Sequence, residues 1–209
     1  MPSFHDVTRR TRRLLLRPMR PDDAPALLAL HGDAAVARYL SRPRWTSIDA
    51  AHARIAQDIA ELESGGSLRL GLERLDDGRL IGECTLFAFH EPSRRAEIGY
   101  AMARHAWGRG YMHEALSALL DLGFGALSLN RVEADIDPRN TASARSLERL
   151  GFLKEGHLRE RWIVAGEVSD SALYGLLASD WAARRSHGND AAMPTHRPHP
   201  GPLPRCGRG

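Results

Sequence analysis

Residues 97–115, EIGYAMARHAWGRGYMHEA, contain a strand-like run, a glycine loop and the start of a helix. Gly108 and Gly110 can adopt backbone angles that are closed to other residues, and they let a ligand approach the main chain. The first N–H groups of the following helix lack partners and lie at the positive end of its dipole. The stretch therefore predicts a phosphate-binding loop, although a tight turn or an ordinary helix start also explains two glycines. The dinucleotide fingerprint needs a third glycine and the nucleoside triphosphate loop needs Gly-Lys-Ser/Thr, and both are missing here.

The segments around this stretch predict a mixed α/β domain with a largely antiparallel sheet. Three apolar or alternating runs separated by turn residues precede the loop, as in an antiparallel meander. Strands and helices alternate after it. The predicted strands are 13–17, 68–75, 80–89, 96–103, 131–136, 152–160 and 169–177, and the predicted helices are 24–30, 50–62, 111–122 and 141–150.

Charge and length divide the chain into a body and two ends. The 209 residues carry a formal net charge of +3, but residues 1–20 hold +5, residues 186–209 hold +2 and the part between them holds −4. An acidic body does not favour a nucleic-acid backbone, whereas it suits a cationic substrate or a plain solvated surface. We expect a flexible N-terminus over 1–8, one domain over 9–185 and a disordered Pro/His-rich tail over 186–209.

Other sequence features exclude several classes of protein. The two cysteines do not form a secreted disulfide framework, which favours a reducing cytoplasm. The chain has no apolar run of the length that a membrane span needs, and its first residues do not resemble a signal peptide. We therefore expect a cytoplasmic protein with no membrane partner.

Several motifs together resemble the GNAT superfamily of N-acetyltransferases over about residues 9–182. His105-x-x-Gly108-x-Gly110 resembles that superfamily's pyrophosphate loop, with His105 where Gln or Arg is usual. Three further motifs resemble its ribosomal-protein N-terminal acetyltransferase branch (RimJ/RimL-like): Thr11 to Pro18, Trp107 to Ala115, and Asn140 through Ser143 and Leu150-Gly-Phe152 to Glu155-Gly156. The resemblance implies a mixed, mostly antiparallel sheet of about seven strands and about four helices, with a splayed strand pair that binds acetyl-CoA.

The resemblance also implies where acetyl-CoA lies, with no metal. The pantetheine arm is expected along the strand at Met102, Ala103 and Arg104. The pyrophosphate is expected on the amides from Trp107 to Tyr111, which include Gly108, Arg109 and Gly110. Asn140 matches a position that contacts the pantetheine, and it is otherwise an ordinary helix N-cap or turn residue.

Acetyl transfer to an amine needs a base and a donor for the departing sulfur. Glu97 matches a general-base position and is otherwise a solvated residue paired with Arg94 or Arg95. Glu83 and Glu160 are the alternative candidates for the general base. Leu147 stands where many members have a tyrosine acid. Ser143 matches a serine that the branch retains, and its hydroxyl is expected to stabilise the thiolate unless it only satisfies its own helix.

Four further side chains have two interpretations each. Tyr100 and Tyr111 are expected to pack rather than to donate a proton. Cys84 is expected to be a buried apolar residue rather than an acyl carrier. Trp45 either shapes the acceptor pocket or packs under a loop.

The resulting hypothesis is an acetyl-CoA-dependent N-acetyltransferase that acts by direct attack in a ternary complex. The preferred acceptor is the N-terminal α-amine of a protein such as a ribosomal protein. The alternatives are a small-molecule amine (polyamine, amino sugar or aminoglycoside) and a non-catalytic acyl-CoA-binding regulator. The resemblance suggests a homodimer, and no nucleic-acid partner is expected.

Overall fold

The computed structural model describes Phe4 and residues 6–190. The strands are β1 (Arg9–Arg10), β2 (Leu14–Arg17), β3 (Leu68–Arg74), β4 (Leu80–His90), β5 (Arg95–Met102), β6 (Arg131–Ile136), β7 (Leu153–Val164) and β8 (Glu167–Leu177). The helices are α1 (Ala24–Gly32), α2 (Ala34–Ala37), α3 (Ile48–Ser64), α4 (Tyr111–Phe124), α5 (Thr141–Leu150) and α6 (Ala178–Asp190).

All strands form one sheet in the order β1-β2-β3-β4-β5-β6-β8-β7. Every neighbouring pair is antiparallel except β5 and β6, which run parallel. The predicted mixed, mostly antiparallel sheet is confirmed. The described residues add one two-residue strand, β1, to the seven predicted strands, and they add the helices α2 and α6 to the four predicted helices.

Helices cover both faces of the sheet. Helix α4 buries Leu116, Leu119 and Leu120 in the larger core, together with leucines of β3 and β4. Helices α1 and α3 bury Leu27 and Ile55 in a smaller core on the opposite face. Because strand side chains alternate between faces, β4 and β5 contribute to both cores, with Leu80 and Ala101 on the side of the smaller one.

Side-chain caps fix where two of the helices begin. The Ser47 hydroxyl accepts a hydrogen bond from the Ala50 N–H (3.4 Å) at the start of α3. The Asn140 Oδ1 accepts one from the Ser143 N–H (3.1 Å) at the start of α5. Each cap satisfies one of the first N–H groups of its helix, which have no partner inside the helix.

The parallel strands β5 and β6 separate after three paired residues. Arg95, Ala96 and Glu97 pair with Arg131, Val132 and Glu133, and the pairing stops there. We call the gap between 98–102 of β5 and 134–136 of β6 the β5–β6 opening. It is the splayed pair that the sequence resemblance implies.

The two ends of the chain differ in part from the prediction. Phe4 lies in the segment predicted to be flexible, yet it is buried, its ring centroid is 5.7 Å from that of Phe89, and its N–H bonds the Leu62 carbonyl (2.7 Å). Apolar burial of this side chain therefore anchors the chain before β1. The predicted tail over 186–209 overlaps α6 as far as Asp190, and 191–209 lie outside the described residues. Within the described part of the chain, no helix is long and apolar enough to cross a bilayer.

Candidate active site

The glycine loop between β5 and α4 is open to a ligand. Gly108 and Gly110 have φ of 72° and 76°, in the left-handed region that other residues rarely adopt. A Cβ added to Gly108 would meet no atom within 4 Å, and no side chain caps the first turn of α4. The amide of Trp107 is already bonded to the Arg104 carbonyl (3.2 Å). The first loop amide that could bind an anion is therefore that of Gly108. This geometry fits the expected pyrophosphate loop.

A hydrogen-bond cluster centred on Glu114 holds the loop in place. Glu114 Oε1 accepts from the Thr11 hydroxyl (2.6 Å) and the Arg13 N–H (2.7 Å), and its Oε2 accepts from Arg13 Nε (2.6 Å). Arg13 also donates to the Arg109 carbonyl (2.9 Å) and lies over the Tyr111 ring at 4.4 Å. Burial alone raises the pKa of Glu114, but these hydrogen bonds outweigh it and hold that pKa below its ordinary value. The Thr11–Pro18 and Trp107–Ala115 motifs are therefore in direct contact in the folded protein.

Strand β5 presents backbone groups to the β5–β6 opening. The Ala103 N–H bonds the Ile81 carbonyl of β4 (2.9 Å), and hydrogen-bonding direction alternates along a strand. The backbone groups of Tyr100 and Met102 consequently face the opening, whereas the amide of Ala103 faces β4. The Met102 carbonyl already accepts from the Trp107 indole (2.6 Å). Arg104 is exposed, with its Nε 3.8 Å from Asp33. Of the three residues expected to meet the pantetheine, Met102 is the one with a backbone group aimed into the opening.

A cavity of about 550 Å³ extends from the opening to the segment 38–44 that follows α2. Its walls include Glu97 and Asp135, which lie on the α1–α3 face of the sheet. They also include Tyr100 and Ser143, which lie on the α4–α5 face. Because Glu97 and Tyr100 occupy odd and even positions of one strand, they point to opposite faces. The cavity thus passes through the sheet at the opening.

Glu97 is a half-buried carboxylate on the cavity wall. Within the described part of the chain it makes no hydrogen bond or ion pair, and Arg95 binds Glu133 instead (2.7 Å). Burial, helped by the negative charges of Glu133 and Asp135, raises the pKa of Glu97. A carboxylate with a raised pKa and a free face towards a cavity is suited to accept a proton.

The two reserve carboxylates lie elsewhere. Glu83 is buried at the centre of an ion cluster, 2.8 Å from Arg69, 3.2 Å from His31 and 3.5 Å from Arg42. Its burial would raise its pKa, but the charges of Arg69 and Arg42 and the hydrogen bond from His31 hold that pKa far below the ordinary range. Glu160 is exposed, and its N–H donates to Asp170 (2.8 Å). Neither side chain lines the cavity.

Ser143 and Tyr100 form a hydroxyl pair, with Oγ and Oη 2.7 Å apart. Burial raises the pKa of Tyr100 to about 12, so the phenol stays protonated at neutral pH. Leu147, at the position where a tyrosine is usual, is completely buried in the core. Tyr100 was expected only to pack. Its position beside apolar strand residues gave no signal of a partner 43 residues away.

Asn140 also lines the cavity, while its side chain caps α5 through the Ser143 N–H. The cap is therefore formed, and the Asn140 N–H is itself bonded to the Asp137 carbonyl (2.9 Å). Its role towards a ligand stays a prediction. Cys84 is a buried free thiol whose pKa burial raises, as expected of an apolar packing residue.

The segment after α2 is fixed to the core by Arg42 and Trp45. Arg42 Nη2 lies 3.1 Å from His31 Nε2, and its guanidinium lies over the Trp45 ring at 5.4 Å. Trp45 packs against His31 with ring centroids 4.4 Å apart and ring planes tilted by 46°, and it does not line the cavity. Trp45 therefore packs under the segment rather than forming the cavity wall. Among the residues that the structure describes, no cluster of side chains could hold a metal ion.

Comparison with known proteins adds three findings. A family model described as acetyltransferase (GNAT) domain matches residues 13–153. The uncharacterized N-acetyltransferase p20 of Bacillus licheniformis is 36% identical over 173 residues, which cover 82% of this chain and 97% of that protein. The [ribosomal protein uS5]-alanine N-acetyltransferase of Escherichia coli is 30% identical over 124 residues, which cover 59% of this chain and 64% of that protein.

Similarity also extends to solved structures. Spermidine N-acetyltransferase from Vibrio cholerae, in complex with CoA and spermine, matches with a TM-score of 0.73 and 22% identity. The match covers 82% of this chain and 99% of that chain. At this identity the likeness concerns the fold.

Proposed function

This chain belongs to the acetyltransferase (GNAT) domain family, and we propose that it acetylates the N-terminal α-amine of a protein, such as a ribosomal protein. Acetyl transfer from acetyl-CoA to an amine is the activity of the family, and the relative p20 is named an N-acetyltransferase. The α-amine acceptor is the proposed part. It is supported by similarity to an enzyme named for an alanine of a ribosomal protein. A ribosomal-protein acceptor would place the enzyme in the cytoplasm.

One observation carries this proposal: a single cavity reaches both Glu97 on one face of the sheet and the Tyr100–Ser143 pair on the other. Direct transfer needs a proton acceptor on the side of the amine and a proton donor on the side of the sulfur. Strand β5 supplies both groups, because it carries Glu97 and Tyr100 three positions apart.

The glycine loop and the strand edge are the proposed donor site. When bound, acetyl-CoA supplies an activated thioester carbonyl. The amides from Gly108 to Tyr111 at the start of α4 would hold its pyrophosphate, with Arg109 as an added cation. The Met102 N–H and the Tyr100 backbone would pair with its pantetheine arm inside the opening.

Glu97 would accept the proton that the acceptor amine must lose, directly or through a water. An α-amine has a pKa of about 7.7 to 8.0, so a modest base suffices near neutral pH. The raised pKa of Glu97 brings this carboxylate closer to that value, which makes proton transfer easier. Asp135, on the neighbouring strand, adds a second carboxylate to this wall, with Arg161 Nε 3.8 Å from its Oδ2. Together the two carboxylates would attract the cationic form of the amine.

The Tyr100–Ser143 pair would supply the proton for the departing sulfur. Tyr100 is protonated at neutral pH because its pKa is raised to about 12, and its hydroxyl is held by Ser143 at 2.7 Å. The pair thereby fills the role left open by Leu147. This assignment counts against the alternative of a non-catalytic acyl-CoA-binding regulator, whose main support is the missing tyrosine.

A small polyamine is the second candidate acceptor. The acidic residues Glu97 and Asp135 in the cavity would suit a polycation, and a structural neighbour binds spermine. The opposite wall of the cavity, however, carries arginines, which repel a long polycation and leave an α-amine as the better fit.

The proposal is tested by thiol release from acetyl-CoA over a panel of N-terminal peptides, polyamines and aminoglycosides. We expect turnover with peptides that carry a free α-amine and none with the same peptides blocked at that amine. Turnover with polyamines alone would overturn the proposed acceptor. Tight acetyl-CoA binding without turnover on the whole panel would favour the regulator.

A further inference from the structure

We propose that the cavity selects an acceptor with a carboxylate in the second or third residue after its amine, and that Arg38 and Arg44 bind this carboxylate. The inference rests on the proposed function, because it names the kind of N-terminus that the same cavity takes. It follows from how the charges that line the cavity are placed and partnered.

Apart from Arg139, which is bound to Asp137 and Glu167 on the same wall, acidic and basic side chains occupy different parts of the cavity. Glu97 and Asp135 lie at the β5–β6 opening, where the chemistry is proposed. Arg38, Arg42 and Arg44 lie on the segment after α2, which forms another wall. An acceptor in this cavity therefore meets negative charge at the opening and positive charge farther along the segment. A molecule with a cationic amine and an anionic group beyond it matches both parts.

Two of the four arginines on the cavity wall already have partners. Arg42 binds His31 and lies 3.5 Å from Glu83. Arg139 binds both Asp137 (2.6 Å) and Glu167 (2.7 Å). The guanidinium groups of these two arginines are therefore bound within the protein.

Arg38 and Arg44 differ from these two arginines. Both are exposed and line the cavity, and neither forms an ion pair within the described part of the chain. Their guanidinium groups are consequently available for a ligand. Guanidinium groups suit carboxylates because two parallel N–H groups can bind both oxygens.

The segment presents these arginines in a prepared arrangement. The Arg38 guanidinium lies 5.1 Å from the Tyr39 ring centroid, and that of Arg139 lies 5.9 Å from the same ring. Arg42 and Trp45 fix the segment to the buried His31. A fixed segment reduces the entropy that would be lost on binding a ligand. The positive wall is thus carried by a segment that is fixed to the core.

The size of the cavity sets which residue of the acceptor meets the arginines. A volume of about 550 Å³ corresponds to a sphere roughly 10 Å across, and an extended chain advances about 3.4 Å per residue. With the amine at Glu97, the second and third side chains would be the ones at the right distance for the wall that carries Arg38 and Arg44. The proposal therefore predicts a preference for Asp or Glu at these positions.

The test compares peptides that begin with alanine and differ in one side chain. Glu, Gln or Lys is placed at position 2 in one series and at position 3 in the other, and KM for each peptide is measured with saturating acetyl-CoA. We expect KM to be about fivefold lower for Glu than for Gln in at least one series, the effect of a partly exposed ion pair. Lysine is expected to raise KM above the value for Gln.

Variants assign the preference to the two arginines. In the double variant Arg38→Gln, Arg44→Gln, the Glu and Gln peptides should have equal KM, while KM for acetyl-CoA stays unchanged. Arg79→Gln is the matched control, since Arg79 is an exposed arginine on the turn between β3 and β4, away from the cavity. It should keep the full preference.

Two results would overturn the inference and leave the proposed function intact. One is equal KM for Glu and Gln peptides in both series, and the other is a preference that survives in the double variant. Failure of the proposed function has a different signature, because no peptide of either series would then be acetylated.

Discussion

The hydroxyl of Tyr100 lies 2.7 Å from the Oγ of Ser143, and this contact joins β5 to α5 across the β5–β6 opening. Both residues line the cavity that Glu97 lines from the opposite face of the sheet. The opening exists because β6 pairs with β5 over three residues only. The separation of two parallel strands thus makes room for a proton donor and a proton acceptor in one space.

Removing the Tyr100 hydroxyl should slow turnover without weakening the donor complex. Tyr100→Phe is expected to lower kcat by about 10²-fold, the contribution of a positioned acid, with acetyl-CoA affinity unchanged. Ser143→Ala should act in the same direction, and the double variant should lose less than the product of the two effects because the hydroxyls act as a pair. Steady-state kinetics and calorimetry measure both quantities.

Tyr174→Phe is the control for this prediction. Tyr174 is a buried tyrosine on β8 that does not line the cavity, so its variant should keep kcat. An unchanged kcat in Tyr100→Phe would remove Tyr100 from the mechanism and leave the serine alone.

A bulky residue in the glycine loop should abolish tight binding of acetyl-CoA. Gly108→Val places a side chain at the open site where the pyrophosphate is expected, and we predict at least a tenfold rise in the Kd of acetyl-CoA, or about 1.4 kcal/mol. Gly78→Val is matched to it, because Gly78 also has a positive φ (68°) and open space at its Cβ. Both variants should lose about 1–2 kcal/mol of stability from backbone strain, but only the first should lose affinity. Equal affinities would place the pyrophosphate elsewhere.

The buried cluster around Glu83 should be a stability element rather than a catalytic one. Glu83→Gln leaves Arg69 and Arg42 without their shared carboxylate, and breaking such a buried pair costs about 3–5 kcal/mol of unfolding free energy. Glu155→Gln, which removes an exposed partner of Arg131, should cost less than about 1 kcal/mol. Chemical denaturation at pH 7 compares the two. A small loss in Glu83→Gln would show that the cluster contributes little.

The sequence predicted the order of strands and helices because hydrophobic periodicity and turn residues are local signals. It also predicted the glycine loop, since Gly108 and Gly110 precede an amphipathic helix. The registers between strands that lie far apart in the sequence could not be predicted from these local signals. The place where β5 and β6 part depends on pairing between Glu97 and Glu133, 36 positions apart in the numbering of the chain.

The partners of the site residues were the least predictable part. Tyr100 stands among apolar residues of β5 and resembles a core side chain, and its contact with Ser143 exists only in the folded sheet. Glu83 lies in an apolar run, where a carboxylate indicates either a catalytic base or a buried ion. Its partners come from α1, β3 and the segment after α2, so the choice between these roles required the fold.

Glu97 should lower the stability of the folded protein at neutral pH. Its pKa is raised on folding, so the native state binds more protons than the unfolded state, and stability falls as pH rises from the ordinary glutamate pKa of about 4.3 through the raised value. Glu97→Gln should therefore raise Tm at pH 7 and change it little at pH 4. Thermal melts at the two pH values check the sign, and a lower Tm at pH 7 would be inconsistent with an unpaired carboxylate.

The role of Glu97 is tested most directly by the pH dependence of kcat/KM for a peptide α-amine, measured for the wild type and Glu97→Gln. If Glu97 takes the proton of the amine, the variant should be strongly impaired at pH 7 and should approach the wild type near pH 9, where most of an α-amine with a pKa of about 8 is already neutral. A loss of the same size at every pH, or no loss at pH 7, would contradict the assignment of Glu97 as the base.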